Sequence, residues 1–214
     1  MPDTALPRSP ALLDAAGAAA LIASYATVTK GAALKDIGRI DVHMGRFIAL
    51  SPLCLVATAD AQGKQDVTPR GDPPGAFKVL DEHTLALADR PGNNRLDTLK
   101  NILENPEIAL IFLLPGIAET VRVAGTARLS VDAELLASMA VQGKEPKCAI
   151  VISVRQAYLH CAKAINRAGL WDAARHIDRN DLPSYGAMLV DHCEGLTAEE
   201  SERQGAEMAR RGMY

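Results

Sequence analysis

Arg70 is the first residue of the chain whose setting suits anion binding. It stands between Pro69 and Gly71, at the end of a predicted strand. The proline restrains the backbone beneath the guanidinium, which can then hold an oxyanion through two parallel N–H bonds. The residue types alone fit a solvated surface arginine as well, so both interpretations stay open.

A second anion-binding candidate lies about twenty residues further along the chain. Asn93, Asn94 and Arg95 follow a proline-glycine pair and precede a predicted helix over 96–104. Free amide groups, the helix dipole and Arg95 would converge on one anion at such a helix N-terminus. Asparagines also cap helices without binding any ligand, and that alternative remains.

The elements that must position these residues follow from short apolar runs and turn signals. The first 50 residues are predicted to be helical, with Ser9-Pro10 as a helix start and a short helix within 30–46. Other helices are predicted over 96–104, over 132–141, and after the capping box that Thr197 and Glu200 form. Predicted strands cover 53–59, 65–69, 84–88, 108–114, 119–129 and 147–160.

Two of these strands differ in their patterning. Residues 108–114 (IALIFLL) are apolar throughout, which predicts a strand buried on both faces. Residues 119–129 alternate instead, with Val121 and Val123 on one face and Thr120 and Arg122 on the other. Such an alternation is typical of a strand with one face in the core.

The fold class is therefore mainly β with flanking helices (α+β). Short strands that are close in sequence favour antiparallel pairing in a barrel or a sandwich, and the regular β-α alternation of a parallel sheet is missing. One domain is predicted over 1–214. It comprises a helical N-terminal extension over 1–50, a β core over 51–161 and a helical tail over 162–214.

Composition excludes several functional classes. The formal net charge is −3 and the pI is near 6.0, which argues against partners such as nucleic acid or an anionic membrane. No apolar stretch is long enough to span a bilayer. The four cysteines form no Cys-x-x-Cys pair, so no metal site is predicted. Unpaired cysteines without a secretory signal predict a cytoplasmic protein.

A longer string carries a family resemblance. PRGDPPG, then LADRPGNNRLDTLKNILENPEIALIFLLPG, then ETVRVAGTARL resemble the pyridoxamine 5'-phosphate oxidase-like flavoproteins, in the branch of FMN-dependent enzymes without assigned substrates. The resemblance runs from about residue 45 to 171 and includes the HCAKAINRAGLW string at its end. It implies a six-stranded antiparallel split β-barrel. It also implies a homodimer with two FMN molecules held between the subunits.

The resemblance also assigns roles by position. The region of Thr68 and Arg70 and the Asn93-Asn94-Arg95 turn would hold the FMN phosphate, and Asp89 and Arg90 would touch the ribityl chain or the phosphate. Thr120 would lie near the flavin. From the second subunit would come His160, Lys163, Arg167 and Trp171. The candidates for stabilising the reduced flavin are Arg122, Lys163 and Arg167.

Two departures from the family's pattern argue against pyridoxamine phosphate as the substrate. The oxidases have an arginine and a lysine bracketing the strand where this chain has Val67-Thr68-Pro69-Arg70. They also follow the tryptophan with an arginine-x-histidine clamp, whereas Trp171 precedes Asp-Ala-Ala-Arg175-His176. The function predicted is an FMN-dependent oxidoreductase acting on a small molecule. The alternatives are a flavin-binding module without turnover and a related barrel that binds heme or a deazaflavin.

Overall fold

The computed structural model describes residues 12–211, so the predicted helix start at Ser9-Pro10 lies outside the described residues. The described chain divides into two units, the first ending at Lys35 and the second beginning at Asp36. In the first unit, α1 (Ala15–Ala23) is capped by the Asp14 side chain and α2 (Lys30–Leu34) by that of Thr29. None of the residues in these two helices is buried.

The second unit is built on one antiparallel sheet. Its described strands are β1 (Leu53–Ala59), β2 (Gln65–Gly71), β3 (Lys78–Asp81), β4 (Thr84–Ala88), β5 (Glu107–Leu114), β6 (Ile117–Ser130) and β7 (Ala149–His160). Their order across the sheet is β2-β1-β5-β6-β7-β4-β3. The mainly β class with flanking helices is confirmed.

The strand count corrects the predicted six to seven. The additional strand is β3, a four-residue segment that pairs only with β4 among the described strands. Its sequence is too short for any alternation to be recognised. The terminal strands β2 and β3 are not paired with each other in the described sheet, so backbone hydrogen bonds do not close it into a barrel.

The sheet bends where its two longest strands cross. The register between β6 and β7 shifts at Ala124 and Gly125, which leaves Arg155 as the extra residue of a bulge. A Cβ on Gly125 would lie 2.0 Å from the carbonyl oxygen of Ser153, so only glycine fits this close approach. The first half of β7 pairs with β4 beyond the bend, while the first half of β6 pairs with β5.

The larger of two apolar clusters among the described residues packs on one face of this sheet, and the smaller one joins β4 and β7 to the helix Ala133–Ser138. Phe112, Leu85, Ile150 and Val121 are fully buried in the larger cluster, and Phe77 meets Phe112 edge-to-face at 5.4 Å. Helix α3 (Val42–Leu50) contributes Met44 and Ile48 to the same core, although it falls within the predicted N-terminal extension. Helix α4 (Asp97–Glu104) packs its buried Thr98 and Ile102 against β1 and β6.

The prediction that residues 108–114 are buried on both faces is wrong. In β5 the side chains of Ile108, Leu110 and Phe112 are buried, whereas Ala109 is exposed and Ile111 is only partly covered. The second face is apolar because the sequence provides no polar residue there, yet nothing in the described chain covers it fully.

The remaining helices are short or peripheral. They are α5 (Ala133–Ser138), α6 (Lys163–Ala168), α7 (Tyr185–His192) and α8 (Ala198–Arg211), with 3-10 turns at Ala173–Arg175 and Arg179–Asp181. The capping box at the start of α8 is confirmed, since Glu200 N–H donates to Thr197 Oγ1 and Thr197 N–H donates to Glu200 Oε2. The bonds that the Glu200 carboxylate accepts from the N–H and Oγ1 of Thr197 lower the pKa of Glu200. No helix within 12–211 is long and apolar enough to cross a membrane.

Candidate functional site

The inner face of β2 carries a row of polar side chains. Asp66, Thr68 and Arg70 lie directly across from Thr58, Val56 and Cys54 of β1, which are buried. Cross-strand partners share one face of a sheet, so the polar row continues the core side of the sheet at its edge. Arg70 lies within β2 rather than after its end, and Pro69 is tolerated because β2 is an edge strand.

The second wall of the site is the segment that leads into α4. Asn94 and Leu96 both have a φ of 60°, a left-handed conformation that turns the chain sharply. Leu96 is the N-cap and makes no side-chain cap hydrogen bond, so the first-turn N–H groups of α4 lack the usual side-chain acceptor. The helix begins at Asp97, and Asn93, Asn94 and Arg95 form the preceding turn rather than its first residues.

A cavity of about 830 Å³ lies between β2, the α4 segment and the residues after β4. Ligand sites for small molecules and cofactors commonly occupy about 300–1,000 Å³. Seven of the ten predicted cofactor-binding residues line this cavity: Thr68, Arg70, Asp89, Arg90, Asn93, Asn94 and Arg95. Residues that are about 20 positions apart in the sequence therefore line the same cavity.

Arg70 is held in the cavity by Asp89. Its Nη1 donates to Asp89 Oδ1 at 2.7 Å, with 19% of the Arg70 side chain and 14% of the Asp89 side chain exposed. Asp89 follows β4, and its own N–H donates to the carbonyl oxygen of Cys148. The Nε of Arg70 is buried and has no hydrogen-bond partner. A buried guanidinium N–H without an acceptor is costly, which marks this atom as the site's unsatisfied donor.

Arg90 has a different environment. Its Nε donates to Asp72 Oδ2 at 2.8 Å, and its Nη2 donates to the carbonyl oxygen of Met139 at 2.7 Å. Only 12% of its side chain is exposed. Arg90 therefore ties the end of β2 to the segment after α5, and together with Arg70 it links two opposite ends of the strand order.

Arg95 lies at the open rim of the cavity. Its Nε donates to Asp97 Oδ2 at 2.7 Å, and 75% of its side chain is exposed. The hydrogen bond with Asp97 raises the pKa of Arg95 above its ordinary value. An exposed pair of this kind contributes little to stability, so Asp97 yields Arg95 to a ligand at low cost.

Sequence reasoning missed Lys147 and Cys148, which also line the cavity. They precede β7, whose first residue Ala149 pairs with Ala88 at the end of β4. Lys147 is exposed, and Cys148 is partly buried. Burial raises the pKa of the Cys148 thiol, the negative charge of Asp89 raises it further, and Arg70 opposes them. Only the long-range β4–β7 pairing brings these residues here, and no local signal predicts it.

The three other predicted cofactor-binding residues lie outside this lining. Thr120 is buried in β6 and pairs with His160 of β7, and Lys163 and Arg167 are exposed on α6. The roles predicted for Lys163 and Arg167 require a second subunit, so their positions in one chain leave the prediction as it was. Trp171 Nε1 donates to the carbonyl oxygen of Ile117 at 2.9 Å.

Arg122 lies on the opposite side of the sheet, over the ring of Tyr158 at 5.2 Å. Both line a smaller cavity of about 240 Å³ on the open face of β1, β5, β6 and β7. The apolar residues that surround it on this face, here called the outer patch, are Leu55, Ala57, Val67, Ala109, Ile111 and Ala124. Val67, which is 63% exposed, borders both cavities.

The model of the family described as pyridoxamine 5'-phosphate oxidase matches residues 40–161, more than half of the chain. The chain belongs to this family. The match spans every described strand and both walls of the larger cavity, and the resemblance inferred from the DRPGNNR region is confirmed. A search of curated proteins found no match.

Solved structures with a similar fold cover little more than half of the chain. HupZ of Group A Streptococcus is 22% identical, covers 56% of this chain and 93% of its own, and has a TM-score of 0.47. An FMN-binding protein of Syntrophomonas wolfei is 14% identical over 56% of this chain and 86% of its own, with a TM-score of 0.44. General Stress Protein 26 of Bacillus anthracis is 15% identical over 55% and 94%, with a TM-score of 0.42.

Proposed function

We propose that the protein is an FMN-dependent oxidoreductase that acts on a small molecule, with the larger cavity holding the FMN phosphate. Family membership and the cavity at the edge of the sheet support this proposal. The observation that carries it is the buried Nε of Arg70, a cationic donor without a partner in a cavity of ligand size.

The donors around this cavity fit a phosphate. The Nε of Arg70 lacks an acceptor, the first turn of α4 has no side-chain cap, and Lys147 adds a further positive group to the lining. An oxyanion at a helix N-terminus is bound by both the free N–H groups and the dipole. Phosphate, with three terminal oxygens, can accept from several donors at once, whereas a neutral ligand would leave the Arg70 donor less well satisfied.

FMN, when bound, would supply the two-electron chemistry of its isoalloxazine ring. The chain's own part would be to anchor the phosphate, orient the ring and limit the access of water. Thr68 and the Asn93-Asn94 turn offer polar atoms along the cavity for the ribityl hydroxyls. Because the family's substrate clamp is out of register after Trp171, a substrate other than pyridoxamine phosphate is proposed.

The outer patch supports a homodimer. Ala57, Ala109 and Ala124 lie side by side on β1, β5 and β6, and Leu55 and Ile111 continue the row. Contiguous apolar surface of this kind on a sheet face is typical of a protein interface. Val67 borders both this patch and the larger cavity, so a partner seated on the patch would also lie next to the proposed flavin site.

Turnover distinguishes the enzyme from a flavin-binding module. The FMN-loaded protein is mixed with NADH or NADPH without oxygen, the flavin absorbance is followed, and oxygen is then admitted. Reduction followed by reoxidation with multiple turnovers is the expected result. Retained FMN that no nicotinamide donor reduces would favour the module. A heme absorption band, or a deazaflavin recovered from the purified protein, would replace FMN as the ligand.

A further inference from the structure

The carboxylate of Asp89 occupies the guanidinium that the proposed phosphate needs. The Nη1 of Arg70 donates to it at 2.7 Å, and both side chains are more than four-fifths buried. Asp89 does not depend on Arg70 for its position, because its N–H donates to the carbonyl oxygen of Cys148 at 2.9 Å. The backbone therefore presents an anion to Arg70 from within the fold.

The neighbouring ion pair of Arg90 and Asp72 differs in how many acceptors the arginine has. Arg90 donates to Asp72 and also to the carbonyl oxygen of Met139, so its guanidinium serves two protein acceptors on two segments. Arg70 donates to the Asp89 carboxylate, and its buried Nε has no acceptor. Of these two ion pairs, only that of Arg70 combines an internal anion with an unused donor.

We infer that Asp89 is an internal competitor for the ligand's phosphate and thereby a specificity-determining residue of the site. A ligand that accepts from the free Nε must share the charge of Arg70 with the Asp89 carboxylate or draw the guanidinium away from it. A dianionic phosphate monoester does so, and it also reaches the free Nε, whereas a singly charged carboxylate does not. The site then selects phosphate monoesters. Asp89 lowers their affinity, but it compensates the buried charge of Arg70 when no ligand is bound.

This inference rests on the proposed function, so the test measures both separately. FMN and riboflavin, which lacks the phosphate, are titrated into the wild-type protein and into Asp89→Asn. The variant is expected to bind FMN about tenfold more tightly, the scale of one charge-assisted hydrogen bond, and to bind riboflavin as the wild type does. An FMN affinity that is unchanged or weaker in a folded Asp89→Asn protein overturns the inference and leaves the proposed function intact. Failure of the wild type to bind FMN overturns the proposed function.

Two control variants separate contact from charge. Asp66→Asn changes the charge of the same cavity by the same amount without releasing an arginine, and a gain of at most about twofold is expected from its partly screened field. Glu82→Gln removes the acidic partner of the distant Arg39 and is expected to leave FMN binding unchanged. Equal gains for Asp66→Asn and Asp89→Asn would mean a general charge effect and would overturn the role of Asp89.

A double-mutant cycle tests whether Asp89 acts through Arg70. If Asp89 acts by occupying Arg70, then Asp89→Asn should strengthen FMN binding much less in an Arg70→Gln background than in the wild type. A gain of about twofold or less is expected there, against about tenfold in the wild type. Equal gains in both backgrounds would show that Asp89 acts on the phosphate independently of Arg70.

Small competitors test the charge selectivity. Phenyl phosphate should displace FMN from the wild-type protein while benzoate at the same concentration does not, and benzoate should gain this ability in Asp89→Asn. If the variant does not fold, the wild-type protein alone tests the inference. Phenyl phosphate should shift the 15N–1H resonance of Arg70 Nε, and benzoate should not. The resonance is assigned by its absence from the spectrum of Arg70→Lys. Equal competition by the two anions in the wild type contradicts the inference.

Discussion

Replacing Arg70 by lysine tests the phosphate site most economically, because it keeps the charge but removes the guanidinium fork. Lysine has one nitrogen in place of three, so it can hold Asp89 but cannot also supply the buried Nε donor. The lysine can still form an ion pair with Asp89, so the variant is expected to fold.

The expected magnitude follows from the burial of Arg70. A hydrogen bond to a charged group contributes about 1.5–3 kcal/mol, and the lower end applies because 19% of the Arg70 side chain is still exposed. A loss of about 1.5 kcal/mol corresponds to FMN affinity about tenfold weaker. Riboflavin affinity should not change, since the missing donor faces only the phosphate.

The assay is a titration followed by flavin fluorescence, with circular dichroism to establish folding. Arg95→Lys is the matched control. Arg95 is 75% exposed and paired with Asp97, so its replacement should weaken FMN binding about twofold at most. The reasoning is refuted if Arg70→Lys binds FMN like the wild type, or if Arg95→Lys loses as much.

Three further predictions concern the thiol, the bend and the outer patch. Burial raises the pKa of the Cys148 thiol, so the pH at which its alkylation rate is half-maximal should lie above that of a free cysteine, and Asp89→Asn should lower this pH. Peptide mass spectrometry of samples alkylated across a pH series measures both values. A half-maximal pH at or below that of a free cysteine contradicts the prediction. Gly125→Ala should lower the urea-measured free energy of unfolding by about 3 kcal/mol, whereas Gly205→Ala in α8 should not lower it. Ala109→Glu should weaken the proposed dimer on the order of 100-fold in sedimentation, and the exposed Ala140→Glu should not.

Local patterns predicted most of the elements of the fold. The apolar runs at 53–59 and 84–88 coincide with β1 and β4, and the apolar spacing of 96–104 gives α4 to within one residue. The capping box at Thr197 forms as its residue types require. In each case the signal and the structure lie within the same ten residues or so.

What the sequence did not predict depends on contacts between distant segments. β3 is too short to show a period, and it exists because β4 offers it an edge. Burial of β5 on both faces is predicted because residues 108–114 are all apolar, but this composition does not show which face the chain covers. An apolar strand face can be covered by a second chain as well as by its own, and periodicity does not distinguish the two.

The site divides in the same way. Arg70 and the Asn93-Asn94-Arg95 turn were predicted from residue types, and the structure places them on one cavity. Their carboxylate partners could not be predicted, since Asp89 reaches Arg70 only through the curvature of the sheet. Lys147 joins the cavity through the pairing of β7 with β4, which no local motif records.

The most direct test of the phosphate site is the visible absorption spectrum of the purified protein after incubation with excess FMN or excess riboflavin and desalting. Flavin bands retained with FMN and largely lost with riboflavin are the expected result, because only FMN engages Arg70. A protein that retains neither flavin, or both equally, would contradict a site built around the phosphate.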